Sequence, residues 1–381
     1  MLIHLPITIA KMNTAKIILE EDEFGLFTDK TSGKSTPVRR FTWRNKNRVT
    51  VQVITYGATI TSIKVPDKNG AIDDIVMGFD DMKGYLNPLN PYFGATVGRV
   101  ANRIGNATIR IDGVQYRVTA NLGNHTLHGG LRGFDKVNWD YYVNGTKVIM
   151  SYTSPDGEEG FPGDVLVNIT FHLNDQNEFL VNFKATSTKP TYVNLTNHSY
   201  FNLAGHEMGA TEVYRHLITI NANETTEVDE NSIPSGRLLS VVDTPLDLQI
   251  PKVLGDVIHT IPNYDGYDHN FCINKGTDQG IAFIARALHP PSGRVLEVYS
   301  NQPGVQFYTS NSIPGDPKDD KGDQSKRLIG KGECVYHKHG AFCFETQNWP
   351  DAINHKNFPK ASLYPGETYD HTCIYKFWIK P

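Results

Sequence analysis

Cysteine is scarce: Cys272, Cys334, Cys343 and Cys373 are the only four in 381 residues, with no C-x-x-C pair and no regular spacing. They read as ordinary reduced thiols, as expected of a cytoplasmic chain, and not as a disulfide framework. No apolar run approaches the ~18 residues needed to cross a bilayer. Charge of one sign is also missing. Lys and Arg total 37 against 41 Asp and Glu, a formal net charge of −4, which is a poor match to the basic face of a nucleic-acid binder. The lysines from Lys318 to Lys331 are interleaved with aspartates and read as a solvated, mobile surface loop over 314–332. A P-loop and a G-x-S-x-G elbow are absent, and GRVANRIG (98–105) is not a G-x-G-x-x-G between strand and helix. Any chemistry is therefore expected to be acid–base work with no cofactor.

Convincing amphipathic helices are lacking too; short ones are expected at 80–86 and 253–258. The opening MLIHLPITIAKMNTAK (1–16) is interrupted by His4 and Pro6 and has no charged leading segment, so it reads as an N-terminal extension and not a secretion signal. Seven N-x-S/T sequons occur, at Asn106, Asn124, Asn144, Asn168, Asn194, Asn197 and Asn223. Such triplets arise by chance in chains rich in Asn and Thr.

Strand signals dominate what is present. RVTVQVITYG (48–57) alternates, and ATITSIKVP (58–66) continues the pattern into the turn residues 67–70. TIRIDGVQYRV (108–118) is a hairpin about Asp112-Gly113. Residues 164–186 form a second meander, with Val165, Val167, Ile169, Phe171 and Leu173 on one face and Phe179, Val181 and Phe183 after the NDQN turn. Residues 293–311 read as a third. With 33 Gly and 21 Pro punctuating short strands, the expected fold is all-β, a large antiparallel sandwich occupying 17–381 as one domain.

Five polar stretches interrupt this β-like sequence. They are GRVANRIG (98–105), NHTLHGG (124–130), TNHSYFN (196–202), YDGYDHNF (264–271) and FCFETQNWPD (342–351). Alternation along FCFET sends Glu345 to the face opposite Phe344; if both faces are covered, the carboxyl is buried and its pKa rises. Taken singly, each candidate has an ordinary reading. Arg103 suits a surface ion pair, His125 and His128 suit hydrogen-bonded loop histidines, Asp268 a turn cap and Glu345 an edge carboxylate. Together they supply what a neutral polyol needs: carboxylates to accept, Arg and Asn to donate, and His to move protons. A zinc set of His125-x-x-His128 with His198, Asp268 or Glu345 is the competing reading. The Thr-Leu spacer and following Gly-Gly indicate a loop and not a helical H-E-x-x-H, so no metal is expected.

Taken in order, GRVANRI, LHGG with RGFDKVNW, SPDGEEGFPG, NLTNHSYFNLAG, YDHNFC, PGVQFYT and ETQNWPDA resemble the aldose 1-epimerase (galactose mutarotase) family. The resemblance runs from about Tyr56 to PGETYDHTCIYKF near the C-terminus. It implies a galactose mutarotase-like β-sandwich and an isomerase that interconverts the α and β anomers of free hexoses such as galactose and glucose. It also implies His198 as general acid, Glu345 as general base, and Asn102, Arg103, His128, Tyr200, Asp268 and Gln306 as sugar-binding residues. Asp265 beside Asp268 is a small ambiguity, decided for Asp268 by the HNF that follows it. Trp139, Trp349 and Tyr200 are the aromatic candidates for packing on the sugar.

The implied partner is a small sugar, with neither nucleic acid nor membrane, and the chain is expected as a monomer or weak homodimer. A sugar-phosphate-specific epimerase would need more basic residues beside the motifs than Arg103 and Arg132, and two other readings stay open. One is a glycoside hydrolase using Asp268 and Glu345 as its carboxylate pair; the other is a sugar-binding module without catalysis.

Overall fold

The computed structural model describes residues 17–29, 32–276, 280–315 and 327–381. The expected extension 1–16 and positions 316–326 of the expected surface loop lie outside the described residues.

Among the described residues the three larger sheets are antiparallel throughout. A nine-stranded sheet runs in the order Asp140–Asn144, Lys147–Ser154, Val165–Leu173, Glu178–Ser187, Tyr369–Ile379, Arg294–Ser300, Ala282–Leu288, Leu217–Ile220 and Lys252–Val253. A five-stranded sheet is built from the N-terminal part of the chain, Ile18–Thr28 through Ile72–Asp74 in sequence order. A second five-stranded sheet runs Pro234–Ser240, Ala222–Val228, Asp268–Ile273, Gly304–Tyr308 and Cys343–Gln347. This is the expected all-β sandwich.

Period-two sequence explains how the layers close. Val165, Val167, Ile169, Phe171 and Leu173 turn inward from one strand, and Phe179, Val181 and Phe183 from the next. They share one core with Phe41, Trp43, Val51 and Val53 of the N-terminal sheet and with Phe271, Val305, Phe307 and Phe344 of the other. Trp43 meets Phe179 edge to face with ring centroids 5.7 Å apart. The Asp112-Gly113 hairpin forms as expected, with φ of +51° and +81°, the two positive angles of a type I′ turn. Short helices occupy Met82–Tyr85 and Leu254–Val257 within the two expected windows, and a third, Gly209–Val213, was not anticipated.

Two expectations are corrected. Residues 293–311 are not a meander: Arg294–Ser300 pairs within the nine-stranded sheet, whereas Gly304–Tyr308 pairs with Asp268–Ile273 and Cys343–Gln347. Alternation reports which face a side chain takes, not which strand lies beside it, and the chain crosses between sheets at Asn301–Pro303. The expectation of a solvated loop over 314–332 also fails at Lys331, although Pro314, Gly315, Arg327, Ile329 and Gly332 are exposed. Lys331 is buried, with Nζ 2.8 Å from Asp74 Oδ2 and donating to the Thr61 carbonyl at 3.0 Å.

Candidate active site

Three neighbouring strands supply one wall. Asp268–Ile273, Gly304–Tyr308 and Cys343–Gln347 pair so that Asn270, Gln306 and Glu345 form a row across the sheet, flanked by the row Asp268, Tyr308 and Cys343. Alternation sends Phe271, Val305, Phe307 and Phe344 into the core, so the polar residues share the opposite face. Gln306 Nε2 donates to Asp268 Oδ1 at 2.6 Å. Gln347 Nε2 donates to Gln306 Oε1 at 3.2 Å and to Asn270 Oδ1 at 3.1 Å.

Three short backbone pairings bring in the rest. Arg103–Ile104 pairs with Thr126–Leu127, so Asn102 and His128 meet at its end; the His128 N–H donates to the Asn102 carbonyl at 3.0 Å. Thr96–Val97 pairs with Thr196–Asn197, which seats His198 beside Ala95. Phe201 and Phe342 exchange two backbone hydrogen bonds of 2.7 and 2.9 Å, which aligns His198 with the strand of Glu345.

The amides around His198 hold this frame and not the imidazole. Asn194 bridges to the Asn348 backbone, Asn197 Nδ2 donates to the Gly94 carbonyl, and Asn202 Nδ2 donates to the Gly340 carbonyl. Burial of Asn194 and Asn197 leaves their sequons without an accessible acceptor nitrogen.

All eight expected site residues form one connected set. His198 Nε2 stands 3.6 Å from Glu345 Oε2, both side chains being at most 5% exposed. The His128 ring packs edge-on to His198 at 5.3 Å. His128 Nδ1 accepts from the Asn102 N–H at 3.2 Å, so in the neutral ring Nε2 carries the proton. Arg103 Nη2 lies 3.3 Å from Asp268 Oδ2. With Gln306 on its other oxygen, Asp268 is a tethered acceptor, not a free nucleophile. Tyr200 stacks on His198 at 4.8 Å and 6°, while its hydroxyl is committed to the Pro91 carbonyl at 2.9 Å. Asp265 is outside this set and pairs with Lys338 at the surface.

The aromatic expectation is corrected in part. Trp139 is buried among Phe134 and Tyr152. Trp349 faces a separate cavity of about 920 Å³ that none of the eight residues lines. Tyr200 is beside His198 as expected, and two further rings adjoin the histidines, Tyr92 and Tyr308, both missed from sequence. Tyr308 was detectable, since it shares the face of Gln306 by alternation; Tyr92, in a Pro-rich loop, carried no periodic signal.

Burial controls the protonation of the pair. Desolvation lowers His198 to about 4, against a smaller opposing effect of the Asp268 charge. Desolvation, aided by Asp268, raises Glu345 well above the ordinary carboxyl value while Arg103 pulls it down. Both shifts favour the uncharged forms, a protonated Glu345 carboxyl and a neutral His198 imidazole. His128 is also driven well below the usual imidazole value, by burial first and then by His198, Arg103 and Lys136. One proton shared between two groups facing a polar pocket is the equipment of bifunctional acid–base catalysis. His128, His198 and Glu345 also offer three donor atoms within 4.8 Å of one another, whereas His125 turns away to accept from the Asn106 N–H.

The sequence profile of the family described as aldose 1-epimerase matches residues 39–376. The chain is 46% identical to a galactose mutarotase of Bos taurus over 93% of its length and 98% of the relative. It is 32% identical to an aldose 1-epimerase of Escherichia coli (strain K12), covering 90% and 95%. The solved structure of a GalM/aldose epimerase homologue from C. elegans superposes with a TM-score of 0.79 at 32% identity, covering 88% of this chain and 98% of that one. A galactose 1-epimerase from Lactobacillus acidophilus has the same fold at 22% identity, with a TM-score of 0.76 over 96% and 100%. The chain belongs to the aldose 1-epimerase family.

Proposed function

We propose that the protein is a mutarotase acting on free hexoses, galactose and glucose first among them, with residues 17–381 working as one unit. The observation that carries this reading is the buried 3.6 Å contact of His198 with Glu345, a base and an acid whose proton affinities burial shifts in opposite directions, at a wall of hydrogen-bonding side chains.

The reaction needs a base at the anomeric hydroxyl and an acid at the ring oxygen. Glu345 takes the C1 hydroxyl proton as His198 gives one to O5, the C1–O5 bond opens to the aldehyde, and rotation about C1–C2 presents the other face. Closure returns both protons. Glu345 as base and His198 as acid require the proton to move from carboxyl to imidazole, an internal shift that leaves the pair's total unchanged. Sugar hydroxyls and the Arg103 guanidinium lower the cost of the resulting ion pair. Each positioned group contributes on the order of 10²–10⁴-fold.

Asp268, steadied by Gln306 and Arg103, accepts from ring hydroxyls, Asn102 and Arg103 donate, and the Nε2–H of His128 steadies the oxygen near the ring closure. A two-sided tether on Asp268 disfavours the hydrolase reading, which needs that carboxylate free. Among the described residues no helix is long and apolar enough to cross a membrane; a cytoplasmic, monomeric or weakly dimeric enzyme is the proposed setting. Polarimetry of freshly dissolved α-D-galactose tests the reading. The optical rotation should relax faster in proportion to added protein, and an unchanged rate at micromolar protein removes it.

A further inference from the structure

We propose that Tyr92, braced by Lys136, is a positioning residue that fixes the two imidazoles of the site in their working orientation. The inference rests on the mutarotase reading and adds a residue that reading does not use.

Tyr92 touches both histidines. Its ring lies edge-on to His128 at 4.7 Å and within 8° of parallel to His198 at 6.1 Å. The segment around it is bolted to the histidine loop itself. The Pro91 carbonyl accepts from the Tyr200 hydroxyl, the Gly94 N–H donates to the His198 carbonyl at 2.9 Å, and the His198 N–H donates to the Ala95 carbonyl at 2.9 Å. Tyr92 is held at φ +66°, in the left-handed region that a bulky side chain seldom takes; Asn102 at +61° and His128 at +51° share that strain. Positive φ recurs elsewhere in the chain, but at Tyr92, a bulky aromatic residue, it is held by hydrogen bonds from its neighbours to the histidine loop, which points to a ring placed for use.

Lys136 completes the brace. Its Nζ sits 5.1 Å from the Tyr92 ring centroid and 2.7 Å from Asp135 Oδ2, so the ammonium is oriented by a buried carboxylate toward the ring face. Both residues are part of the GFDKVNW stretch, whose role the catalytic reading left open. Among the described residues the Tyr92 hydroxyl has no hydrogen bond, so the ring, and not the phenol oxygen, makes its contacts with the protein. The groups facing the two imidazoles are then Tyr92, Tyr200, Tyr308, Glu345, Asp268 and Arg103, with Lys136 acting across the Tyr92 ring.

The test compares Tyr92→Leu, Tyr92→Phe and Lys136→Met by polarimetry of kcat and KM, together with NMR of the histidine ring protons and a thermal melt. Tyr92→Leu should lower kcat about tenfold or more with KM within about threefold, the pattern of a misplaced catalytic group, and should shift the ring signals of His128 and His198. Tyr92→Phe should restore kcat and those signals. Lys136→Met should shift the same ring signals and lower kcat with KM little changed, because the Tyr92 ring loses the ammonium that braces it.

The proposal fails if Tyr92→Leu keeps wild-type kcat and histidine signals, or if Tyr92→Phe is as impaired as Tyr92→Leu, which would assign the role to the hydroxyl. If Tyr92→Leu does not fold, Lys136→Met decides: unchanged ring signals and an unchanged kcat overturn the brace. A wild-type protein without mutarotase activity removes the functional reading instead, and the ring signals still report on Tyr92.

Discussion

Glu345 Oε2 lies 3.6 Å from His198 Nε2, and neither this carboxyl oxygen nor Nδ1 of His198 has a hydrogen-bond partner among the described residues. Buried polar atoms left unpaired are costly. In a site this polar, the cost marks where a ligand's hydroxyl groups would complete the bonding. The pair is less stable than it could be, and that deficit is readable by mutation.

Glu345→Gln should abolish most of the catalysed rate while raising the melting temperature at neutral pH. The folded-state pKa of Glu345 is raised, so its contribution to stability is full below the ordinary carboxyl value of 4.5 and is lost as pH climbs from there toward the folded value. Glutamine keeps the shape and carries no such loss. A gain of about 2 °C or more at pH 7, shrinking at pH 4, is expected from thermal melts. A variant less stable than wild type at both pH values would contradict the burial argument.

The pH profile of kcat/KM should be a broad plateau. The working pair holds one proton, so activity falls at the acid end only when His198 takes a second, near pH 4, well below the ordinary imidazole value of 6.5. At the alkaline end the proton leaves Glu345, above the ordinary carboxyl range. Polarimetry corrected for buffer catalysis checks this. An acid limb centred near 6.5 would mean that His198 is solvated in the working enzyme.

Asp268→Asn should act mainly on sugar binding. The carboxylate is tethered by Gln306 and Arg103, and its loss removes the acceptor and frees the guanidinium. A fall in kcat/KM of about 10–100-fold is expected from one lost charge-assisted hydrogen bond and its displaced neighbour, with KM carrying most of it. The same change removes a negative charge that raises Glu345, so the alkaline limb should move to lower pH. Loss confined to kcat would place Asp268 at the reacting atoms.

Much of this site was legible in the sequence because its chemistry sits on strand alternation and in compact motifs. FCFET put Glu345 opposite Phe344, and burial of both faces followed. TNHSYFN concentrated amides that each found a backbone partner across the site. Tyr92 escaped because its position depends on loop backbone angles and on hydrogen bonds to a segment about a hundred residues away, neither of which leaves a periodic trace. The crossing at Asn301–Pro303 escaped for a related reason: the pattern of residues 293–311 is the same whether two strands pair or join different sheets. Trp139 was misread because a tryptophan near a motif is more often packing than pocket.

His371 should contribute to the acid sensitivity of the folded state, alongside His128, His198 and His216, which burial also holds below the ordinary imidazole value. It is fully buried on strand Tyr369–Ile379, with Nδ1 3.1 Å from the Leu195 carbonyl and Nε2 2.8 Å from the Thr346 hydroxyl. The carbonyl can only accept, so Nδ1 carries the proton and Nε2 accepts from Thr346. One neutral ring thereby ties the segment leading to His198 to the residue after Glu345. Burial lowers His371 to about 3, so between its ordinary value of 6.5 and that value the unfolded chain binds a proton that the folded chain refuses. The stabilisation is whole above 6.5 and is lost as pH falls through this window. His371→Gln should flatten the decline in melting temperature between pH 7 and pH 4.5, while costing stability of about 1–3 kcal/mol at pH 7 through imperfect replacement of two buried hydrogen bonds. It should also lower kcat, because the two catalytic segments lose their common tie. An unchanged slope of melting temperature against pH would show that the ring is not a proton-excluding group.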